Sequence, residues 1–239
     1  MTFPRRYDKI ITEDGKAQRA LFQSKNLFGG VFMGKKFVVT IGRQYGSGGR
    51  EIGKKLAEKT GAEFYDKELI TLAAKKHGMS EKVFESVDEK PTNSLLYSLA
   101  VGAYGMDGGS PYWGETVLPI NDKVYQIQAG LIEELAEKGS CVIVGRCADF
   151  ILRDRKDTVS VFLTADEAFR EDRAVNLYGC DPKKVSDIIR KTDKKRSNYY
   201  EYRTNQRWGE ASHYDLCINV SKFGIDNCVE LIEKYIELR

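Results

Sequence analysis

Residues Lys36 to Leu56 constrain this chain most. The apolar run Phe37-Val38-Val39-Thr40-Ile41 reads as a buried strand. It runs into Gly42-Arg43-Gln44-Tyr45-Gly46-Ser47-Gly48-Gly49-Arg50-Glu51, and then into a helical pattern carried by Ile52, Leu56 and Ala57 that stops at Gly61. A strand, a glycine turn and a helix start together make an anion site. Glycines let backbone N–H groups point inward, and the helix N-terminus adds partial positive charge. A plain strand-to-helix turn is the alternative. Four glycines and a serine between Gly42 and Gly49 exceed what such a turn needs, which favours phosphate binding.

The phosphate-loop string G-x-x-x-x-G-K-[ST] is not met, because its lysine is absent. Arg50 is one candidate for the missing cation and Arg43 is a second. An arginine grips phosphate through a planar fork, where lysine is a point charge. Arg50 reads equally well as a solvated first-turn residue. Glu51 stands where a magnesium-holding hydroxyl is expected. It reads either as a metal ligand or as a first-turn acid that favours the helix dipole.

Beyond Gly61 the chain alternates strands and helices. Ala62-Glu63-Phe64-Tyr65 reads as a short strand, with Asp66 capping a helix through Leu69, Ile70, Ala73 and Ala74. Ser80 caps another helix through Val83, Phe84 and Val87. Residues 91–120 hold several glycines among Tyr97, Tyr104, Tyr112 and Trp113; they read as a Gly/aromatic insert, either a lid edge or a packed insertion. Asn121 is expected to cap a helix through Val124, Ile127, Leu131 and Leu135. Cys141-Val142-Ile143-Val144 and Thr158–Leu163 read as strands buried on both faces. Asp166 starts a helix, and Asp181-Pro182 opens the next with proline at its first position. A last strand spans Asp215 to Val220, and Val229, Ile232 and Ile236 mark a final helix. This order argues for an α/β parallel sheet with helices on both faces. Ligands of such sheets sit at the carboxyl ends of the strands. The glycine turn, Tyr65-Asp66 and Gly145-Arg146 all lie there.

Composition excludes several classes. A net charge of +3 over 239 residues gives no global pull toward nucleic acid. Two histidines and no C-x-x-C pair argue against a histidine or zinc site. The five cysteines are expected as reduced, mostly buried thiols, with Cys141 and Cys217 in apolar runs. No apolar run has membrane length and the N-terminus lacks a signal-peptide core, so the expected location is the cytoplasm.

Two further motifs carry charge. Arg146 follows a buried strand, where it can hold a phosphate or base bidentately; a surface ion pair with Asp149 is the alternative. Arg190, Lys191, Lys194, Lys195, Arg196, Arg203 and Arg207 alternate with Tyr199, Tyr200 and Tyr202. This stretch reads as a solvated helix face, a nucleic-acid patch or a lid that closes arginines over a phosphoryl group, and its place before the last strand favours the lid.

The chain resembles the nucleoside monophosphate kinase branch of P-loop proteins, and most closely the cytidylate kinase-like family. The resemblance spans roughly residues 36 to 236. Gly46-Ser47-Gly48 matches the kinase loop's G-x-G, and Phe64-Tyr65-Asp66 the aromatic-Asp step before the acceptor-binding helix. Val144-Gly145-Arg146 with Asp149 resembles the acceptor-side segment. Val161 to Ala165 with Arg170 and Arg173 resembles the fourth strand and its helix, and Asp193 to Asn198 the arginine-bearing lid. In an ungapped match Gly49 replaces the lysine and Arg50-Glu51 the next two residues; a frame moved by one sets Arg50 on the lysine. The 91–119 segment differs from the acceptor insert of cytidylate kinase.

The resemblance implies a P-loop NTPase-type parallel five-stranded sheet with helices on both faces, plus a lid and an acceptor-binding insert. It divides the chain into an N-terminal extension (1–35) and a kinase-like domain (36–239) with a lid-like basic segment at 190–210. It implies a nucleotide donor, ATP with Mg²⁺, and a small phosphorylated acceptor such as CMP or dCMP. It implies no membrane partner and no protein-held metal, and nucleic acid is not expected as a partner. Phosphate contacts fall to Arg43, Gly46, Ser47, Gly48, Gly49 and Arg50, and catalysis to Arg50, Arg196 and Arg203. Acceptor contacts fall to Asp66, Arg146 and Asp149. A nucleotide-binding sensor without turnover is the alternative that the missing lysine and hydroxyl motivate.

Overall fold

The computed structural model describes residues 35–66 and 120–239. Five strands form one parallel sheet: β1 (Val38–Arg43), β2 (Glu63–Tyr65), β3 (Cys141–Val144), β4 (Thr158–Thr164) and β5 (Leu216–Asn219). Their order across the sheet is β2-β3-β1-β4-β5. β1 is central, pairing with β3 from Val38↔Cys141 to Ile41↔Val144 and with β4 from Val38↔Thr158 to Arg43↔Leu163. Its position explains its near-continuous apolar sequence, since both faces are covered.

The two faces separate by strand alternation. Val38, Cys141 and Ile143 face helix α2 (Ile120–Lys138), which buries Val124, Leu131, Ile132 and Leu135 against them, with Ala148 and Leu152. Ile41 and Val144 face helix α1 (Gly49–Thr60). A methyl group on Gly53 of α1 would come within about 3.2 Å of Phe64, Val144 and Ile41, so this glycine sets how closely α1 approaches the sheet. A short helix α3 (Ala148–Ile151) follows β3, and α4 (Glu167–Tyr178) follows β4. The 20-residue helix α5 (Val185–Thr204) then packs Val185 and Ile189 on Ala174, beside Tyr45 and Cys180. After β5 come α6 (Val220–Phe223) and α7 (Ile225–Leu238), the latter burying Cys228, Val229, Ile232 and Ile236.

The expected α/β parallel sheet is present, and several boundaries differ. α2 begins at Ile120, so Asn121 lies inside its first turn, where its carbonyl accepts from Arg203 Nη2 at 2.9 Å. α5 begins at Val185, not at Pro182. Asp181 instead closes a turn, its carboxylate accepting from Lys183 N and its carbonyl from Lys184 N, both at 2.9 Å. Asp166 is the N-cap of α4, yet its side chain makes no capping bond. It accepts from Asn219 Nδ2 at 2.9 Å and pairs with Lys222 at 2.7 Å, tying α4 to the end of β5. Cys217 is exposed on the edge strand, against the expectation of burial, while Cys141, Cys147 and Cys228 are buried. The expected helices at 66–78 and 80–87, the 91–119 segment and the extension before residue 35 lie outside the described residues.

Candidate functional site

The turn between β1 and α1 is held from outside itself. Gln44 N–H donates to Leu163 O at 3.0 Å, and Gln44 Oε1 accepts from Ala165 N at 3.2 Å. Tyr45 N–H donates to Asp193 Oδ1 of α5 at 2.7 Å, and Tyr45 O accepts from Arg170 Nε of α4 at 2.8 Å. Arg170 and Asp193 are themselves an ion pair, largely buried. Gly46 has φ 79°, and a Cβ there would lie 2.6 Å from Arg170 O, so only glycine fits. Ser47 is fully buried with its hydroxyl turned inward, donating to Gln44 O at 2.8 Å. Its side chain therefore braces the turn from within. Gly48 caps α1, and the first N–H groups of the helix have no intrahelical acceptor.

In front of this turn lies a cavity of about 390 Å³, lined by Arg43, Gly46, Gly48, Gly49, Arg50, Asp66, Arg146 and Arg196 among others. Among the described residues, four guanidinium groups and the carboxylate of Asp66 thus line one cavity. Each arrives from a different element: Arg43 from the end of β1, Arg50 from α1, Arg146 from the turn after β3, and Arg196 from α5. Arg50 Nε donates to Asp66 Oδ2 at 2.9 Å; Asp66 is buried, while 61% of the Arg50 side chain is exposed. Arg196 Nη1 donates to Arg43 O at 3.2 Å. Arg146 is buried, and burial first, then the nearby Arg43 charge, pushes its guanidinium down to about 10. It remains charged at neutral pH, and an anion is the partner that such crowding favours.

Arg146 is aimed by unusual backbone. Gly145, Arg146 and Cys147 have φ of 79°, 62° and 55°, three left-handed residues in a row. Two of them carry side chains, and such strain persists only where the surroundings enforce it. Behind Arg146 is a second cavity of about 20 Å³, the size of a single water, lined in part by Asp149, Tyr200, Trp208 and Tyr214. Tyr200 donates its hydroxyl to Asp149 Oδ2 at 2.7 Å, and desolvation raises both groups above their ordinary values. Asp149 is absent from the lining of the larger cavity and does not take up the alternative role of ion partner to Arg146. It is a supporting residue behind the site.

Arg203 is also placed elsewhere than expected. It pairs with Asp122, donates to Asn121 O, and lies over the ring of Tyr125 with 4.7 Å from guanidinium carbon to ring centroid. It lines neither cavity. It clamps the end of α5 to the start of α2 and does not close over the turn. Glu51 is engaged by Arg173 at 2.6 Å and Lys55 at 3.6 Å, so the first-turn-acid reading fits and the metal-ligand reading does not. Residues 190–204 are continuous helix within α5. Sequence reasoning missed the braces Gln44, Tyr45 and Asp193 as functional residues. Asp193 was the available signal, an acid set inside the basic stretch three positions before Arg196.

The model of the cytidylate kinase-like family matches residues 38–222. The chain belongs to that family. Its similarity extends to a crystal structure of an uncharacterized protein from Eubacterium ventriosum, at 29% identity and a TM-score of 0.64, covering 85% of this chain and all of the other. A shikimate kinase from Bacteroides thetaiotaomicron matches at 15% identity and a TM-score of 0.50, covering 85% of this chain and 99% of the other, a likeness of fold. No curated protein matches. In this chain the turn, Arg43, Arg146 and Asp66 lie at the carboxyl ends of β1, β3 and β2, the expected ligand position for a parallel sheet, and Arg50 and Arg196 reach the same cavity from α1 and α5. Among the described residues no helix is long and apolar enough to cross a membrane.

Proposed function

We propose that this protein is an ATP-dependent phosphotransferase acting on a small phosphorylated acceptor, with CMP or dCMP the acceptor that the family suggests. The observation that carries this reading is the convergence of four guanidinium groups, from Arg43, Arg50, Arg146 and Arg196, on the cavity in front of the glycine turn, with Asp66 beside them among the described residues. Such a convergence suits two phosphate-bearing ligands meeting end to end. An oxygen of the acceptor phosphate forms a bond to the γ-phosphorus, the bond to the bridging oxygen breaks, and ADP leaves with that electron pair. The acceptor is already anionic, so no strong base is required, and catalysis is alignment with charge neutralisation. In this reading the turn and Arg43 hold the donor, Arg146 and the Arg50–Asp66 pair the acceptor, and Arg196 the transferring group.

The described side chains do not offer a site for a protein-held Mg²⁺. Among the described residues no group of three His, Cys, Asp or Glu side chains could bind a metal, and Glu51 is ion-paired. Magnesium would enter on the phosphate oxygens of the nucleotide. The absence of a hydroxyl at Arg50 and Glu51 favours a second reading, a nucleotide sensor with little turnover. ADP release from ATP and Mg²⁺ against CMP, dCMP, UMP, AMP and GMP, beside an ATP-induced thermal shift, tests both. Acceptor-dependent release supports the kinase. A thermal shift without release supports the sensor, and neither response removes both.

A further inference from the structure

The missing lysine has a geometric counterpart. When G-x-x-x-x-G-K-[ST] is laid on the chain with Gly48 as its second glycine, Arg43 falls on the first glycine and Gly49 on the lysine. A cation stands where the string has glycine, and glycine stands where it has the cation. The structure shows why the two changes go together. A Cβ on Gly49 would lie 2.8 Å from both Cβ and Cγ of Arg43. Nonbonded carbons do not approach so closely, so only one of these two positions can carry a side chain. Gly49 is helical and has no conformational need for glycine, unlike Gly46 and Gly48 with φ of 79° and 88°. Its lack of a side chain is explained by the stem of Arg43 crossing it.

The head of Arg43 continues beyond Gly49 to rest on Gly145, where a Cβ would come 2.2 Å from Nη1 and 2.9 Å from Cζ. It therefore spans from the glycine turn to the end of β3 along the wall of the larger cavity. Arg50, the other candidate, is mostly exposed and donates to Asp66.

We infer that Arg43 is the donor-phosphate cation of this protein, exchanged across the loop with Gly49. The inference rests on the donor-site reading above and deepens it: the site takes a polyphosphate through a guanidinium fork that enters from the strand, not an ammonium that enters from the helix. Arg43 touches the substrate phosphates in this assignment, and the exchange is reversible by design.

The test uses the full chain and measures affinity for inorganic tripolyphosphate and ATP by titration calorimetry, with melting temperature as a control for folding. Arg43→Gln keeps the stem over Gly49 and removes the charge. It weakens tripolyphosphate binding by about 10-fold or more, as loss of a charge-assisted hydrogen bond does. Gly49→Lys alone lowers the melting temperature, because its Cβ meets Arg43. The double variant Arg43→Gly with Gly49→Lys relieves that contact, restores the string and recovers affinity to within about threefold. Arg190→Ala, an exposed charge on α5 paired with Asp187, serves as the control for general electrostatics. Unchanged tripolyphosphate affinity in Arg43→Gln overturns the assignment, as does a folded double variant that does not bind, or a larger loss in Arg50→Ala. Failure of the unaltered protein to bind either ligand overturns the donor-site reading and the assignment with it.

Discussion

Asp193 should be worth more to this protein than any surface charge, and its worth can be worked out in parts. Its carboxylate accepts from Tyr45 N–H on one oxygen and pairs with Arg170 on the other; the two side chains are 17% and 9% exposed. Asp193→Ala leaves a buried guanidinium without its carboxylate and a loop N–H without its acceptor. Breaking a buried pair from one side costs about 3–5 kcal/mol. The partial exposure of Asp193, and the bond Arg170 keeps to Tyr45 O, set the expectation at the lower end, about 3 kcal/mol. For a chain of this size that corresponds to a fall of roughly 6–12 °C in melting temperature. Asp193→Asn keeps an oxygen for Tyr45 N–H and loses only the charge, so it should fall between Asp193→Ala and the unaltered protein. Asp187→Ala breaks the exposed Asp187–Arg190 pair of the same helix and should change stability by about 0.5 kcal/mol or less. Urea denaturation of the three variants, with ATP-induced thermal shift on each, reads both stability and the shape of the turn. A loss below about 1 kcal/mol in Asp193→Ala, or an unchanged ATP shift, would refute the claim that α5 holds the glycine turn in shape.

Four other outcomes follow. Gly46→Ala puts a Cβ 2.6 Å from Arg170 O at a left-handed position, so it should destabilise by about 2–4 kcal/mol and abolish the ATP shift, read by calorimetric melting. Arg203→Ala should cost about 3 kcal/mol by removing a buried guanidinium from Asp122 and from Asn121 O, while KM for ATP stays within about twofold; a large rise in KM would return Arg203 to the site. Asp149 has its carboxyl raised above the usual 3.8, so in the window above that value the folded chain holds a proton that the unfolded chain has released. Its contribution to stability is therefore full below about 3.8 and lost as pH rises through the folded value, and Asp149→Asn should remove that slope from the urea midpoint measured against pH. With a thiol reagent under native conditions, Cys217 should react first and Cys141, Cys147 and Cys228 only on unfolding, as peptide mapping would show.

The parts of this structure that were legible in sequence are those that rest on local pattern. β1 and β3 are continuous apolar runs because the sheet covers both faces, and the glycine turn announced itself through residues that only a left-handed or crowded backbone requires. The convergence of Gly145-Arg146 and Asp66 on that turn followed from parallel topology alone. What sequence could not show is where long side chains end. Arg43, Arg50, Arg196 and Arg203 are alike on paper, and only the fold shows that three line the cavity and the fourth clamps two helices. Helix starts slipped where Asp181 closes a turn ahead of α5 and where Asn121 lies inside the first turn of α2. The exposure of Cys217 depends on β5 being an edge strand, which no apolar run declares.

The bracing of the turn also fixes when it can exist. Tyr45 and Asp193 are separated by 148 positions, and the turn's other tethers come from Leu163, Ala165 and Arg170. At synthesis rates of about 5–20 residues per second, roughly 7–30 s pass between the emergence of the turn and that of its last brace. For the earlier part of that interval the apolar strand before it has neither of its sheet neighbours, since β3 and β4 are made only at residues 141–144 and 158–164. The turn takes its braced shape only after α5 has left the ribosome, which makes α5 the checkpoint that separates a nascent turn from a finished one.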